Sequence, residues 1–335
     1  MSYQPPFTIT AEILNRVSRI SELIGSLNTA LLQASPVLRK QNRIKTITGT
    51  LAIEGNTLTE EQITAFLEGK PVLGGVQELA EVQGAIKAYE ALSEMTPSSI
   101  EQVLMAHQMM MGDVLKKAGQ FRESGVGIHK GKSVVHVAPP AHQVSGLMAD
   151  LFKWIENSDQ HPLIVSSVAH YELEFIHPFA DGNGRMGRLW QTLILSRWKP
   201  IFLSLPLESV IKVHQQDYYE VLEKADAEGE STRFIEFMLS AIESTLDKVG
   251  TVNGTVSGTV NLAEMKSTEA VQMLITENPA LTRQQLADKL GKSLRTISRA
   301  LKELQDTGRV KRVGPDKTGH WVVRNPEARI SSDVY

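Results

Sequence analysis

Residues 177–188 read His-Pro-Phe-Ala-Asp-Gly-Asn-Gly-Arg-Met-Gly-Arg. This short run holds an imidazole, a carboxylate, a glycine-rich turn and two guanidinium groups. Pro178 disfavours α geometry at the preceding residue, so the helix before it ends there and His177 stands at the mouth of a loop. Asp181 offers oxygen to a hard cation such as Mg²⁺. Gly182, Asn183 and Gly184 let backbone N–H groups turn inward as an anion nest. The helix that follows, with Leu189, Trp190, Leu193 and Ile194 on its apolar face, aims its N-terminus at the same point. Arg185 and Arg188 lie three apart on one face of its first turn. Positive charge there opposes the helix dipole by about 0.3–1 kcal/mol each. A polyphosphate bound at that turn resolves the conflict.

The elements that must position this run are mostly helical. Apolar spacing predicts helices over 10–35, 40–54, 59–68, 76–93, 98–112, 142–156, 162–176, 185–197, 207–226 and 231–248. The exception is 121–138, where two short β-rich runs flank a Gly/Lys turn and read as a hairpin, ended by Pro139 and Pro140. Residues 250–261 repeat Gly-Thr-Val with Asn or Ser. Glycine at every fourth place makes a stable helix unfavourable, so the segment reads as a linker. Its β-branched content also allows an edge strand or a self-association segment; a homodimer is a separate expectation for the chain.

Beyond the repeat, a helix over 268–277 precedes one over 283–290 that opens on a Thr282/Gln285 capping box. Gly291 breaks the chain. Ser293 caps a further helix with Leu294, Ile297, Leu301 and Leu304 on its apolar face. Two short strands, 310–313 and 320–323, flank a turn containing Gly314, Pro315, Asp316 and Gly319. This order resembles a winged helix-turn-helix domain. The second helix of the pair would enter a major groove, with Arg295, Thr296, Arg299 and Lys302 as DNA contacts; a protein-binding module is the alternative.

Composition narrows the function classes. With 335 residues, 41% hydrophobic and 22% charged, the chain is ordinary for a globular protein of two or three domains. It has no cysteine, which excludes disulfides, thiolate catalysis and cysteine zinc sites. No apolar run approaches a membrane span and no signal peptide is evident, which fits a cytoplasmic protein. The net charge of −3 divides into +5 over 266–335 and −8 over the rest. A basic C-terminal module on an acidic body points to an anionic partner such as DNA.

The run 177–188 fills every defined position of His-x-Phe-x-(Asp/Glu)-Gly-Asn-Gly-Arg-x-x-Arg and so resembles the Fic family of protein adenylyltransferases. The resemblance extends over about 40–245 and is sharpest at 119–123 and 162–198. It implies a mainly α fold: a Fic-type helical bundle with a β-hairpin flap, plus the small winged helix-turn-helix domain. The chain divides accordingly into an N-terminal helical region (1–100), a catalytic core (101–248), a linker (249–265) and the winged domain (266–328). His177 is implied as the general base that deprotonates a Tyr, Thr or Ser hydroxyl, a role an imidazole suits near neutral pH. That hydroxyl would attack the α-phosphate of ATP. Asp181 would hold Mg²⁺ or Mn²⁺ across the α- and β-phosphates. Gly182, Asn183 and Gly184 would steady charge on the α-phosphate. Arg185 and Arg188 would bind the outer phosphates, and Met186 and Gly187 complete the ATP-binding run. Tyr218 and Tyr219 resemble the family's tyrosines near adenine. The hairpin resembles its flap, with Val134, Val135 and His136 aligning an extended target segment by strand addition.

Residues 50–55, Thr-Leu-Ala-Ile-Glu-Gly, resemble the family's inhibitory motif, (Ser/Thr)-x-x-x-Glu-(Gly/Asn), with Thr50 and Glu54 as its members. Glu54 would end a helix stopped by Gly55, where a carboxylate needs a cation; Arg188 is the expected partner. In some relatives with this arrangement the same glutamate also assists removal of AMP, so the resemblance implies that second role beside inhibition. The implied partners are ATP, a target protein and this chain itself as a target. An alternative reading is a DNA-binding regulator whose core senses nucleotide or modifies its own chain. Three decoys fall away. The run 127–133 has one residue too few between its glycines for a P-loop and leads into strand. His170 and Glu174, four apart, lack a third metal ligand. Met109, Met110 and Met111 read as core packing.

Overall fold

The computed structural model describes residues 3–26, 36–125, 127–130, 133–256, 266–279, 281–313 and 320–323, with the backbone alone for 36–38, 127–130, 133–137, 249–256, 273 and 277. The described residues form two compact units, the first mainly within 3–250 and the second mainly within 251–323.

The first unit is built around two buried helices. Here α1 is Ala11–Ser26, α2 Pro36–Ile53, α3 Glu60–Leu67, α4 Val76–Ala91 and α5 Ile100–Met111. A hairpin follows, β1 Gly127–Lys130 and β2 Ser133–Val137, and then α6 Ala141–Asn157, α7 Pro162–Ile176 and α8 Asn183–Trp198. The unit closes with α9 Leu207–Val213, α10 Gln215–Glu228 and α11 Thr232–Val256. α7 and α8 pack on each other and are buried almost all round, which explains why their apolar residues form runs and not a stripe. Pro162 opens α7 at a position where a missing N–H costs nothing. β1 and β2 pair antiparallel with a bulge between Ile128 and His129.

Two expectations need correction. The helix over 207–226 is two helices, α9 and α10, separated at His214. Near that break Lys212 and Gln215 turn to α2, donating to the Ala52 and Ile53 carbonyls at 2.7 Å each. The expected first helix is formed over Ala11–Ser26, and residues 27–35 lie outside the described residues. Finally, α11 continues to Val256, into the repeat where glycine spacing disfavours helix. Its nucleus is already fixed by buried Phe234, Ile235, Met238, Leu239, Ile242 and Leu246. Extending a formed helix is much easier than starting one, so glycines costing about 1 kcal/mol each do not stop it at once. The rest of the repeat, 257–261, lies outside the described residues.

The second unit holds α12 Ser267–Glu277, α13 Arg283–Leu290, α14 Leu294–Asp306, and the antiparallel pair β3 Val310–Val313 and β4 His320–Val323. The Thr282/Gln285 capping box is formed, and Gly291 ends α13 in the left-handed region. Ile297, Ala300, Leu301 and Leu304 of α14 face a core that includes Leu286 and Trp321. Leu294 does not join them: as the first residue of α14 it is 47% exposed. The expected turn residues Gly314, Pro315, Asp316 and Gly319 lie outside the described residues. Among the described residues no helix is long and apolar enough to cross a membrane.

Candidate active site

His177 caps α7 and is half-buried. Its backbone is left-handed (φ 50, ψ 57), unique among the described non-glycine residues. Pro178 was expected to push it out of the helix; it leaves into the αL cap, where its N–H still reaches the Leu173 carbonyl at 3.1 Å. Its Nδ1 donates to the Glu174 carbonyl at 3.3 Å, which leaves Nε2 as the basic nitrogen. The loop beyond is closed by Asn183, whose side chain accepts from Phe179 N–H at 2.9 Å and donates to Phe179 O at 3.0 Å. The Asn183 amide is therefore committed to the loop, and only its backbone N–H faces a ligand. As the first residues of α8, Asn183, Gly184 and Arg185 present N–H groups with no intrahelical acceptor.

Two buried guanidinium groups flank that turn. Arg185 is 4% exposed at its side chain, and its Nε and one terminal nitrogen have no acceptor. Its nearest carboxylates stand off: Asp181 at 3.6 Å and Glu81 at 3.7 Å. Arg188, 1% exposed at its side chain, also has one terminal nitrogen without an acceptor. Leaving such donors unpaired in the interior is costly, so two such arginines within one helix turn suit an anion with several oxygens. Gly184 leaves it open: a Cβ there would lie 2.7 Å from Glu54 Oε1 and 3.1 Å from the unpaired nitrogen of Arg188. Asp181 is 57% exposed at the mouth. Among the described residues no cluster of three or more potential metal ligands exists. A single carboxylate fits a hard cation that keeps its waters and shares the oxygens of a bound phosphate.

Thr50 and Glu54 sit at the end of α2 and reach Arg188 together. Glu54 accepts from Arg188 at 2.7 Å; Thr50 accepts from Arg188 Nε at 3.0 Å through its hydroxyl and from a terminal nitrogen at 3.1 Å through its carbonyl. Burial alone would lower the Arg188 pKa, but Glu54 and neighbouring groups hold it well above its ordinary value. Gly55 (φ 92) turns the chain away. Gly49 lets α2 approach α9 closely; a Cβ there would lie 2.8 Å from the Glu208 backbone carbon. The close fit fixes where Glu54 emerges.

Other expected residues fall elsewhere. Met186 is fully buried in the core, and Gly187 makes room for His170, whose ring a Cβ would meet at 2.5 Å. Their side-chain positions serve packing, not a nucleotide. Tyr218 is fully buried, its hydroxyl 3.1 Å from His170 Nε2 and donating to Glu174 (2.9 Å), so it cannot stack on a base. Tyr219 is 39% exposed, beside the end of α2, and keeps a free face. The backbone of the hairpin is present as expected; the side chains of Val134, Val135 and His136 lie outside what is described. In the second unit Arg295, Arg299 and Lys302 are exposed on α14, while Thr296 bonds back to Ser293 at 2.9 Å.

Residues that spacing missed hold the site in place. Arg122, itself buried, donates to His177 O (2.7 Å), Ser124 O (2.9 Å), Ile176 O (3.2 Å) and Pro139 O, joining the end of α7 to the chain on both sides of the hairpin. His107 stacks on Phe179 with ring centroids 3.8 Å apart. It donates to Asp181 O at 3.0 Å and accepts from Gly119 N–H at 2.8 Å. Burial lowers its pKa to about 4, so the ring is neutral and suited to this relay. Burial likewise lowers His170 to about 3 and pushes Glu174 up to about 7, the latter opposed by Arg188 and reinforced by Glu54.

Comparison with known proteins agrees with this geometry. Residues 97–195 match the Fic/DOC family, and residues 274–311 match a winged helix-turn-helix DNA-binding family. A solved Fic family protein from Desulfovibrio desulfuricans G20 is 41% identical with a TM-score of 0.73, over 98% of this chain and 100% of that one. A protein adenylyltransferase Fic of Aedes aegypti is 31% identical over 67% of this chain and 44% of its own length. One from Drosophila ananassae is 31% identical over 65% and 44%. The chain thus spans less than half the length of these curated relatives.

Proposed function

The chain belongs to the Fic family, and from that premise we propose that it is a protein adenylyltransferase held off by Glu54. The observation that carries this reading is the pair of buried arginines with unpaired N–H groups, Arg185 and Arg188, in the first turns of the helix that follows the His177 loop. The substrate is ATP and a Tyr, Thr or Ser hydroxyl of a target protein or of this chain. His177 Nε2 takes the hydroxyl proton. The oxygen bonds to the α-phosphorus, the bond from that phosphorus to the bridging oxygen breaks, and diphosphate leaves. The first-turn N–H groups of α8 meet charge developing on the α-phosphate, and the two arginines hold the outer phosphates. Asp181 is the residue to hold Mg²⁺ or Mn²⁺. Such an ion would supply charge neutralisation to the bound polyphosphate.

Glu54 occupies the arginine that the γ-phosphate needs, so ATP bound to the native chain is misplaced. A parallel incubation with α-labelled and γ-labelled ATP tests the reading. The Glu54→Gly protein should retain the α label, not the γ label, and retain more than the native chain; His177→Ala in the same background should retain none. Retention of the γ label, or equal labelling with and without His177, overturns it. A second reading rests on the second unit: exposed Arg295, Arg299 and Lys302 on one helix suit a duplex phosphate backbone. DNA binding there is compatible with the enzyme reading and makes the chain a regulator whose core responds to nucleotide.

A further inference from the structure

Arg185 and Arg188 each face a carboxylate carried on an N-terminal element, and the two pairs differ in kind. Glu54 meets Arg188 at 2.7 Å, a full hydrogen bond that a phosphate must displace. Glu81, on α4, stays 3.7 Å from Arg185, too far to hydrogen-bond and close enough to attract. Arg185 therefore keeps its buried Nε and one terminal nitrogen without acceptors, ready for a ligand. From the other side Asp181 pulls on the same guanidinium at 3.6 Å. The two carboxylates are not equivalent. Asp181 is 57% exposed and Glu81 only 13%.

Glu81 is also fixed in place. One of its oxygens accepts from Asn56 Nδ2 at 2.9 Å, and the other lies 3.4 Å from Gln77 Nε2. Asn56 is buried and pinned in turn, donating to Glu78 O at 3.2 Å and accepting from Leu58 N–H at 3.1 Å. Asn56 stands two residues past Glu54 in the same loop, so whatever moves Glu54 also moves the anchor of Glu81.

We propose that Glu81 positions Arg185 for the outer phosphates of a nucleoside triphosphate, and that Asn56 ties this positioning to the loop that carries Glu54. The proposal rests on the adenylyltransferase reading. Glu54 blocks its arginine and Glu81 aims its own. Without Glu81, Arg185 falls to Asp181, so one change weakens the arginine and occupies the carboxylate meant for the cation. Adenosine monophosphate, which has no outer phosphates, does not sense the change.

Binding of ATP and of AMP, each with Mg²⁺, to the full chain carrying His177→Ala and Glu54→Gly tests this without turnover. Adding Glu81→Gln should weaken ATP about fivefold, the scale of one partly exposed ion pair, and leave AMP within about twofold. In a parent also carrying Arg185→Ala, Glu81→Gln should change nothing further. Asn56→Ala, which frees Glu81 without removing it, should give the same signature more weakly, and serves if Glu81→Gln does not fold. Equal weakening of ATP and AMP, or ATP binding unchanged by Glu81→Gln, overturns the inference. A parent that binds no ATP at all overturns the adenylyltransferase reading itself, and this inference with it.

Discussion

Arg122 gives the most quantitative handle on how the site is held. It donates to four backbone carbonyls, those of Ser124, Pro139, Ile176 and His177, and it is buried. A hydrogen bond from a charged donor contributes about 1.5–3 kcal/mol, but water can reach some of the freed carbonyls and the four are not additive. We take about 4 kcal/mol for Arg122→Ala, a large part of the 5–15 kcal/mol or so that stabilises a domain. For a unit of this size that lowers Tm by about 10 °C. The loss is also local: the His177 carbonyl and its αL turn lose their clamp, so labelling in the Glu54→Gly background should fall about tenfold or more, since small misplacement of a base is costly. Arg122→Lys keeps the charge but only a point donor, and should recover less than half of the stability. Thermal unfolding followed by circular dichroism, with labelling at a temperature where both variants are folded, reads both effects. An alanine variant with unchanged Tm and unchanged labelling would refute the assignment of Arg122 as the clamp.

Three further outcomes follow from the same geometry. Glu174 is pushed up to about 7 from 4.5. The folded state thus keeps a proton that the unfolded chain releases, and its stabilisation is present below about 4.5 and lost as pH rises through about 7. Glu174→Gln, always neutral, should gain on the native chain in urea midpoint from pH 5 to pH 8; a pH-independent gap contradicts this. Gly187→Ala puts a methyl group 2.5 Å from the His170 ring, which is fully buried, and should destabilise by about 1–3 kcal/mol in urea unfolding. Arg299→Ala and Lys302→Ala should each lower the salt slope of DNA binding by about 1, measured by anisotropy on the full chain.

The chemistry was legible in sequence where it is contiguous. Residues 177–188 place an imidazole, a glycine turn and two arginines within one loop and one helix start, and local rules suffice to read that placement. Thr50 and Glu54 were legible only as a motif; that they reach Arg188 depends on Gly49 seating α2 on α9. Arg122 lies in the stretch 119–123 where the resemblance is sharp, but its role was not legible there, and His107 and Glu81 carry no local pattern. Each acts on a partner brought close by packing: Arg122 on a carbonyl 55 positions away, His107 on one 74 away. Tyr218 and Tyr219 show the limit of periodicity. Adjacent in sequence on α10, with ring centroids 5.3 Å apart, they differ in burial, and only burial decides which has a free face. The extension of α11 to Val256 fails local propensity because a packed nucleus precedes it.

The central claim is that this site transfers AMP and that Glu54 restrains it. Intact-mass and peptide mass spectrometry of the Glu54→Gly protein after incubation with ATP and Mg²⁺ tests it most directly. The account predicts an AMP adduct on a Tyr, Thr or Ser oxygen, weaker in the native chain and absent with His177→Ala. No adduct on any hydroxyl, or a phosphate in its place, would contradict it.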